Sequence, residues 1–255
     1  MDFLDKLIRI SKSYDILIIH SSLKNLRGLG PTPRYFLNLP QLISNTGILC
    51  GVPAFTFNQV KPIRYNTNLT EPSKEIGSLS LHQFRELQNP QKNSNLFRTL
   101  TPIHSYIFQG HSKDNIIKNK IWNDSFGEFS LFNYFESKKV LWLNLGCKNG
   151  KGAYPFIRHA ECLPKVSYRN SIEIPFFIGN LSTSVESQLR YYAMKTEAKF
   201  IRDKLVFSQD FDKSCLIDLR LEHNIWLTLH CYNDLLGQSL SNIEKDEFSF
   251  YPNLK

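Results

Sequence analysis

Between residues 140 and 169 an apolar run, Val140-Leu-Trp-Leu-Asn-Leu145, leads into a glycine and lysine turn, Gly146-Cys-Lys-Asn-Gly-Lys-Gly152, and then into Arg158-His159-Ala160-Glu161. Histidine titrates near neutrality, and a carboxylate beside it steadies the protonated ring. His159 with Glu161 therefore has the makings of a general base and its orienting partner. A spacing of two puts both side chains on one face only if the segment is extended; in a helix they diverge. Taken alone, a histidine such as His159 is more often a surface or capping residue than a catalyst, and Cys162 beside it offers a nucleophile as a lesser alternative. The placement is informative because ligands of open α/β sheets usually bind beyond the strand ends.

His20-Ser21-Ser22-Leu23 closes another apolar run and is followed by Gly28 and Gly30. Small hydroxyl side chains and free backbone amides at a strand end suit a phosphate or an extended amide ligand; serines capping a helix explain the same residues. The turn at 146–152 invites a nucleotide-binding P-loop reading, but it has three spacers before Gly-Lys instead of four, and a glycine in place of Ser or Thr. Nucleotide hydrolysis is excluded on that ground, although Lys148 and Lys151 remain available to a phosphate as point charges. The chain contains neither Gly-x-Ser-x-Gly nor Gly-x-Gly-x-x-Gly, which argues against an ordinary α/β hydrolase and against the usual dinucleotide site.

The elements that must position these residues follow from the hydrophobic pattern. Residues 1–13 have the periodicity of an amphipathic helix, and 15–20 form a continuous apolar run, as in a strand buried on both faces. Thr32-Pro33 looks like a helix cap, while Pro40 cannot sit inside the helix it would start, so a short helix, a break and a second turn ending near Gly47 are predicted. Further strands are predicted at 48–57, 103–108, 140–145, 166–169, 173–178, 188–194 and 225–229. Helices are predicted at 79–87, 129–137, 196–205 and 234–245. Residues 58–73 read as a long surface loop. With no linker, repeat or low-complexity tract, residues 1–255 are expected to form a single domain.

Composition narrows the class. The 255 residues are 42% hydrophobic and 13% aromatic, ample for a continuous core, and no apolar stretch approaches the roughly 20 residues that span a bilayer. The acidic N-terminus is unlike a secretory signal, so the cytoplasm is the expected location. Cys50, Cys147, Cys162, Cys215 and Cys231 show no metal-site spacing and read as reduced thiols, and no metal is expected. The net charge of +8 favours an anionic partner, whether a cofactor, a nucleotide sugar or nucleic acid, but a general bias toward Lys, Asn and Ile is the stronger explanation.

Taken in order, the pieces resemble the aminoglycoside 3-N-acetyltransferase family, especially its relatives among surface-polysaccharide biosynthesis genes, and the resemblance covers most of the chain. The family's His-Ser-Ser-Leu strand end is matched by His20, Ser21, Ser22 and Leu23. Its Pro-Thr-Phe-Thr is approximated by Pro53-Ala-Phe-Thr56. Its Arg-Ser-x-His/Asp-Pro-x-x-Ser is approximated by Arg98-Thr-Leu-Thr-Pro-Ile-His104-Ser105. Phe126-Gly-Glu-Phe-Ser130, Leu145-Gly146 and the stretch from Arg158 to Ser167-Tyr168-Arg169 follow at the positions of Phe-Gly-x-x-Ser, Leu-Gly and His-x-x-Glu with Pro-Tyr-Arg.

The resemblance implies a three-layer α/β/α fold with a central mixed sheet, distinct from the smaller GNAT acetyltransferase fold, and acetyl-CoA as co-substrate. It places His20, Ser21, Ser22, Leu23, Thr56, Arg98 and Ser105 along the coenzyme, and it implies a histidine that deprotonates the acceptor amine. The sequence departs from the family at that histidine: counting back from Tyr168-Arg169, Glu161 takes the glutamate position but Arg158 takes the histidine's, with His159 one place late. Arginine stays protonated and cannot serve as a base. The paired glycine after His-Ser-Ser-Leu is replaced by Gly30-Pro31-Thr32-Pro33, Thr101 replaces a His or Asp, and Gly77-Ser-Leu-Ser lacks the usual glutamate.

His159 is accordingly the first expectation for the base, Glu161 its partner and His104 the reserve. The implied activity is N-acetylation of an amino sugar or nucleotide-linked amino sugar in surface-polysaccharide biosynthesis. The alternatives are a catalytically silent relative that binds a ligand or partner protein, and an aminoglycoside-resistance enzyme. The last is disfavoured because 31 basic against 23 acidic residues repel a polycation. The expected partner is a small-molecule substrate rather than nucleic acid or membrane, with a homodimer left open.

Overall fold

The computed structural model describes residues 3–26, 33–57, 62–89, 91, 95–112, 115–147, 154–179, 184–195 and 227–250. Its centre is β1 (Ile16–Ser21), which pairs in parallel with β2 (Leu49–Pro53) on one side and with β6 (Val140–Leu145) on the other. Every residue of β1 from Ile16 to His20 is buried, so both faces of the strand must be covered. Antiparallel strands extend the sheet outward. β5 (Tyr106–Gln109) pairs with β2, β4 (Leu96–Arg98) with β5, and β9 (Leu227–Cys231) with β6, giving the order β4-β5-β2-β1-β6-β9.

Alternate side chains feed two separate cores. Leu17 and Ile19 of β1, with Val52 and Leu143, pack against Leu7 of α1 (Phe3–Ser11), Phe36 of α2 (Pro33–Leu37), Ile43 of α3 (Leu39–Ser44) and Phe84 of α4 (Ser78–Leu87). Ile16 and Ile18, with Trp142, belong to the opposite core. That core takes in Ile117 of α5 (Ile116–Asn119), Phe132 and Phe135 of α6 (Leu131–Glu136), Phe156 and Ala160 of α7 (Tyr154–Cys162), and Leu235 of α8 (Tyr232–Lys245). Helices on both faces of a central mixed sheet make the three-layer α/β/α arrangement implied by the sequence motifs.

A smaller sheet of β3 (Ile63–Tyr65), β7 (Arg169–Ile178) and β8 (Val185–Met194) has its own apolar cluster around Ile103, Ile174, Phe176 and Leu189. It is laced to the segment before α6 by Arg190 N–H on the Asn123 carbonyl at 2.7 Å and by Ser125 N–H on the Arg190 carbonyl at 2.9 Å.

Pro40 acts as expected: α2 stops at Leu37, and α3 begins at Leu39 with the proline in its first turn, where no amide partner is lost. The strand expected at 103–108 begins only at Tyr106. Its approach still shields backbone groups, since Ala54 N–H donates to the Ser105 carbonyl and Thr56 N–H to that of Ile103. The expected loop at 58–73 contains β3, and β4 was not anticipated; each has three residues, too few to show a period. Residues 166–168 form a turn instead of a strand, which follows Lys165 at φ +57°. The helix expected at 196–205 lies outside the described residues. No described helix is long and apolar enough to cross a membrane.

Gly51 is a close contact within the sheet, because a Cβ there would lie 2.5 Å from Phe108 Cε1 and 2.8 Å from Ile18 Cδ1. Gly51→Val should overpack the core and lower unfolding free energy by about 1–3 kcal/mol. Gly237→Ala in α8, where a Cβ meets nothing within 4 Å, should instead raise it by up to about 1 kcal/mol. Denaturant midpoints of the two variants would check both signs.

Candidate functional site

The C-terminal ends of β1, β2 and β6, and the segment entering β5, all reach the same edge of the main sheet. They carry His20-Ser21-Ser22, Ala54-Phe55-Thr56, Asn144 and His104-Ser105 to that edge. The β1 and β6 ends are tied together by Ser22 N–H on the Leu145 carbonyl at 2.8 Å and by Asn25 Nδ2 on the Gly146 carbonyl at 2.7 Å. Gly146 sits at φ +72°, and a Cβ on it would be 2.7 Å from the Ser22 carbonyl, so only glycine lets the two turns cross. Ser21, Ser22 and Leu23 remain half-buried and reachable. Lys148 and Lys151 lie outside the described residues.

His20 is buried and stacked on Trp142 at 4.6 Å between ring centroids, with Tyr106 Oη 3.4 Å from its Nε2. Burial pulls its pKa down to about 3, so the ring is neutral at ordinary pH. Burial also holds the Tyr106 phenol well above its usual range, leaving it the donor to His20.

Three other residues expected along the coenzyme point inward. Arg98, 3% exposed, donates from Nε to Ser105 Oγ at 2.9 Å, from Nη2 to the Ala54 carbonyl at 2.6 Å and from Nη1 to the Thr70 carbonyl. Its guanidinium also lies 5.1 Å from the Tyr65 ring. Ser105 Oγ donates to the Ala54 carbonyl at 2.7 Å, and Thr56 Oγ1 to that of Pro102. Together they clamp the loops after β2 and β4. Desolvation lowers the arginine's pKa from its ordinary value, and the carbonyl dipoles compensate the buried charge.

The His159–Glu161 pairing read from the sequence does not form. α7 is helical throughout, so the two side chains leave it on different sides. His159, fully buried, places Nδ1 on the Phe126 carbonyl and Nε2 on the Glu136 carboxylate. Both partners are acceptors, so both ring nitrogens are engaged by the protein itself and neither faces open space. Glu161, also fully buried, accepts from Tyr168 Oη at 2.8 Å and from Arg169 Nε at 2.6 Å, tying α7 to the start of β7. Cys162 is buried, and desolvation first of all drives its thiol well above the ordinary range, which is opposite to what a nucleophile needs.

His104 has the opposite character. It is 2% exposed and sits among Phe126, Phe55 and Tyr191, with the Phe126 centroid 4.2 Å away, and its Nδ1 has no hydrogen-bond partner. Burial, and then the Arg158 charge, holds its pKa well below 6.5. Arg158 is half-buried with its guanidinium carbon 5.9 Å from the same Phe126 ring, and its Nε is also unpartnered. Nearby, Asp124 accepts from Gly127 N–H at 3.0 Å and has Oδ2 3.9 Å from Arg190 Nη1. A cavity of about 340 Å³ opens beside it, bounded by Lys120, Asn123, Phe129, Glu173 and Arg190.

Sequence reasoning missed Glu136, whose distance of 23 residues from His159 gives no local signal. Asp124 lay outside its motifs, and Arg169 entered only for its place in one. Among the described residues no cluster of His, Cys, Asp and Glu could hold a metal ion.

No protein-family model and no curated protein matches the sequence. Solved structures do. The apoenzyme of aminoglycoside acetyltransferase AAC(3)-IVa is 17% identical, with 97% of this chain and 90% of that one covered at a TM-score of 0.65. YokD from Bacillus subtilis is 15% identical, covering 89% and 90% at 0.62. AAC-IIIb in a binary structure with CoASH is 13% identical, covering 95% and 96% at 0.62. The chain has the fold of the aminoglycoside 3-N-acetyltransferases.

The two neutral buried histidines set an acid limit. Both pKa values are lower in the folded chain than in the unfolded one, so the unfolded chain binds more protons below pH about 6.5. Stability is therefore full above that pH and lost as pH falls toward about 3, where the buried His20 ring takes up its proton. His20→Phe, which keeps the stack on Trp142, should make the loss shallower by about 1.4 kcal/mol per pH unit across that window. Urea unfolding at a series of pH values measures it.

Proposed function

We propose that the chain is an acetyl-CoA-dependent N-acetyltransferase whose acceptor is an amino sugar or nucleotide-linked amino sugar of surface-polysaccharide biosynthesis. The observation that carries this reading is a fold shared over nearly the whole chain with acetyltransferases, one of them solved with CoASH. Half-buried Ser21, Ser22 and Leu23 fit the coenzyme as small, accessible groups at a strand-end turn. Thr56, Arg98 and Ser105 act behind them by fixing loop shape, because their polar groups are spent on the protein's own carbonyls.

An amine attacks a thioester only as the neutral amine, so a group with an available lone pair must take its proton. His104 fits that role better than His159: it is neutral, and its Nδ1 is unclaimed. It also sits against the same phenylalanine as Arg158, the residue in the family histidine's register. The acetyltransferase would then have moved its base from α7 to the loop entering β5. His159 and Glu161 keep structural work, joining α7 to α6 and to β7.

The silent-relative reading draws on the same two facts, an arginine where the family has its base and His159 held between two acceptors. Aminoglycoside resistance is the further alternative, since the matched enzymes bear that name. Against it stands the net charge of +8, which opposes a polycationic acceptor.

Free-thiol release from acetyl-CoA separates the three. The native chain should melt at higher temperature with millimolar acetyl-CoA and release thiol faster with nucleotide-linked amino sugars than with kanamycin-type polyamines. His104→Gln and His104→Ala should lower turnover by roughly a hundredfold or more without changing coenzyme affinity. His159→Phe should lower melting temperature while leaving turnover per folded molecule within a few-fold. Coenzyme binding with no transfer to any amine would favour the silent relative, and faster kanamycin turnover the resistance enzyme.

A further inference from the structure

The buried face between α7 and the loop entering β5 has a charge imbalance. Arg158 has no carboxylate within ion-pair distance among the described residues, and its buried Nε donates to nothing. Glu161 holds Tyr168 and Arg169, Glu136 holds His159, and Asp124 accepts from Gly127 N–H through Oδ1 while its Oδ2, 3.9 Å from Arg190 Nη1, has no hydrogen-bond partner. The segments that run past Phe126 leave further buried groups without partners, among them His104 Nδ1, Thr101 Oγ1, Trp122 Nε1 and Ser125 Oγ, each from a residue at most 2% exposed. Buried donors left unsatisfied in this number are destabilising unless something fills them. Arg158, Thr101 and Ser125 are able to donate, and the arginine is permanently charged, while His104 Nδ1 keeps the lone pair that its role as base requires.

We infer that this niche receives an anionic group of the ligand, a carboxylate or phosphate that Arg158 pairs and that Thr101 and Ser125 help to hold. The inference rests on the acetyltransferase reading and narrows it to acidic acceptors, such as an amino sugar bearing a carboxylate or a phosphate. It also resolves a chemical difficulty. With Arg158 unpaired, His104 is a poor proton acceptor, because burial and the adjacent cation both disfavour the imidazolium. An anion on Arg158 cancels the second effect, so that the acidic substrate itself would raise the basicity of the histidine beside it. A neutral or cationic acceptor would leave the base weakened.

Calorimetric titration in the presence of saturating coenzyme A tests the inference with three probes: 2-amino-2-deoxyglucuronate, glucosamine 6-phosphate and glucosamine. The two acids should bind the native chain at least tenfold more tightly than glucosamine, and whichever of them binds better identifies the anion. Arg158→Gln should erase that advantage, and Arg158→Lys should keep part of it as a point charge. Indistinguishable binding of all three probes, whether tight or absent, overturns the inference, as does an advantage that persists in Arg158→Gln. Coenzyme A affinity, measured separately in each protein, reports on the acetyltransferase reading alone; it should be the same in all three, and its absence would overturn that reading instead.

Discussion

The rest of the molecule depends on the complete burial of β1. Ile16 and Ile18 face one core and Leu17 and Ile19 the other, so no polar side chain fits within the strand until His20. Removing both faces from water is worth about 2 kcal/mol per large aliphatic side chain, which no polar substitution in the strand could match. Polar chemistry is therefore expelled to the strand ends. Three parallel strands share one direction, so their polar ends gather on a single edge, and the antiparallel β5 delivers His104 and Ser105 to it as it enters the sheet. The location of the site follows from where the apolar runs stop.

Having gathered polar groups at that edge, the fold spends most of them on its own backbone. Arg98 satisfies carbonyls of two loops at once, and a buried cation is tolerable only because those dipoles surround it. His159 and Glu136, and separately Glu161 and Arg169, bind α7 to α6 and to β7. Removing one partner of such a pair would strand a charge, so these residues are constrained as tightly as catalytic ones without touching a ligand. What remains uncommitted stands out by contrast: His104 on one segment, Arg158 on another, and the reachable serines after β1.

The continuous apolar runs at 15–20 and 140–145 were legible because burial on both faces erases alternation, and only a central strand has that pattern. Pro40 marked its helix break through simple sterics. The short strands β3 and β4 were not legible, since three residues carry no period. The error at His159 and Glu161 has a geometric cause. Two residues apart on a helix are turned by about 200° around its axis, and the sequence near 158–161 did not settle between helix and extended chain. Once α7 is helical, His159 needs a partner from elsewhere in the chain, and Glu136 was invisible because tertiary contact rather than spacing brings it in. The inward orientation of Arg98 was not legible, because its carbonyl partners are backbone groups that no motif records.

His20 and His104 illustrate what burial alone decides and what it does not. Both are neutral for the same reason, desolvation, and both sit in aromatic surroundings at the same sheet edge. They differ in hydrogen bonding. The phenol of Tyr106 lies against His20 Nε2, and Trp142 covers its face, whereas His104 Nδ1 faces no partner and a cation lies near it. A neutral imidazole with a donor already on one nitrogen is a packing element. One with an open nitrogen beside an unpaired guanidinium is a site whose protonation depends on what ligand charge arrives. The difference between structural and chemical histidine in this chain thus rests on the neighbours each one lacks.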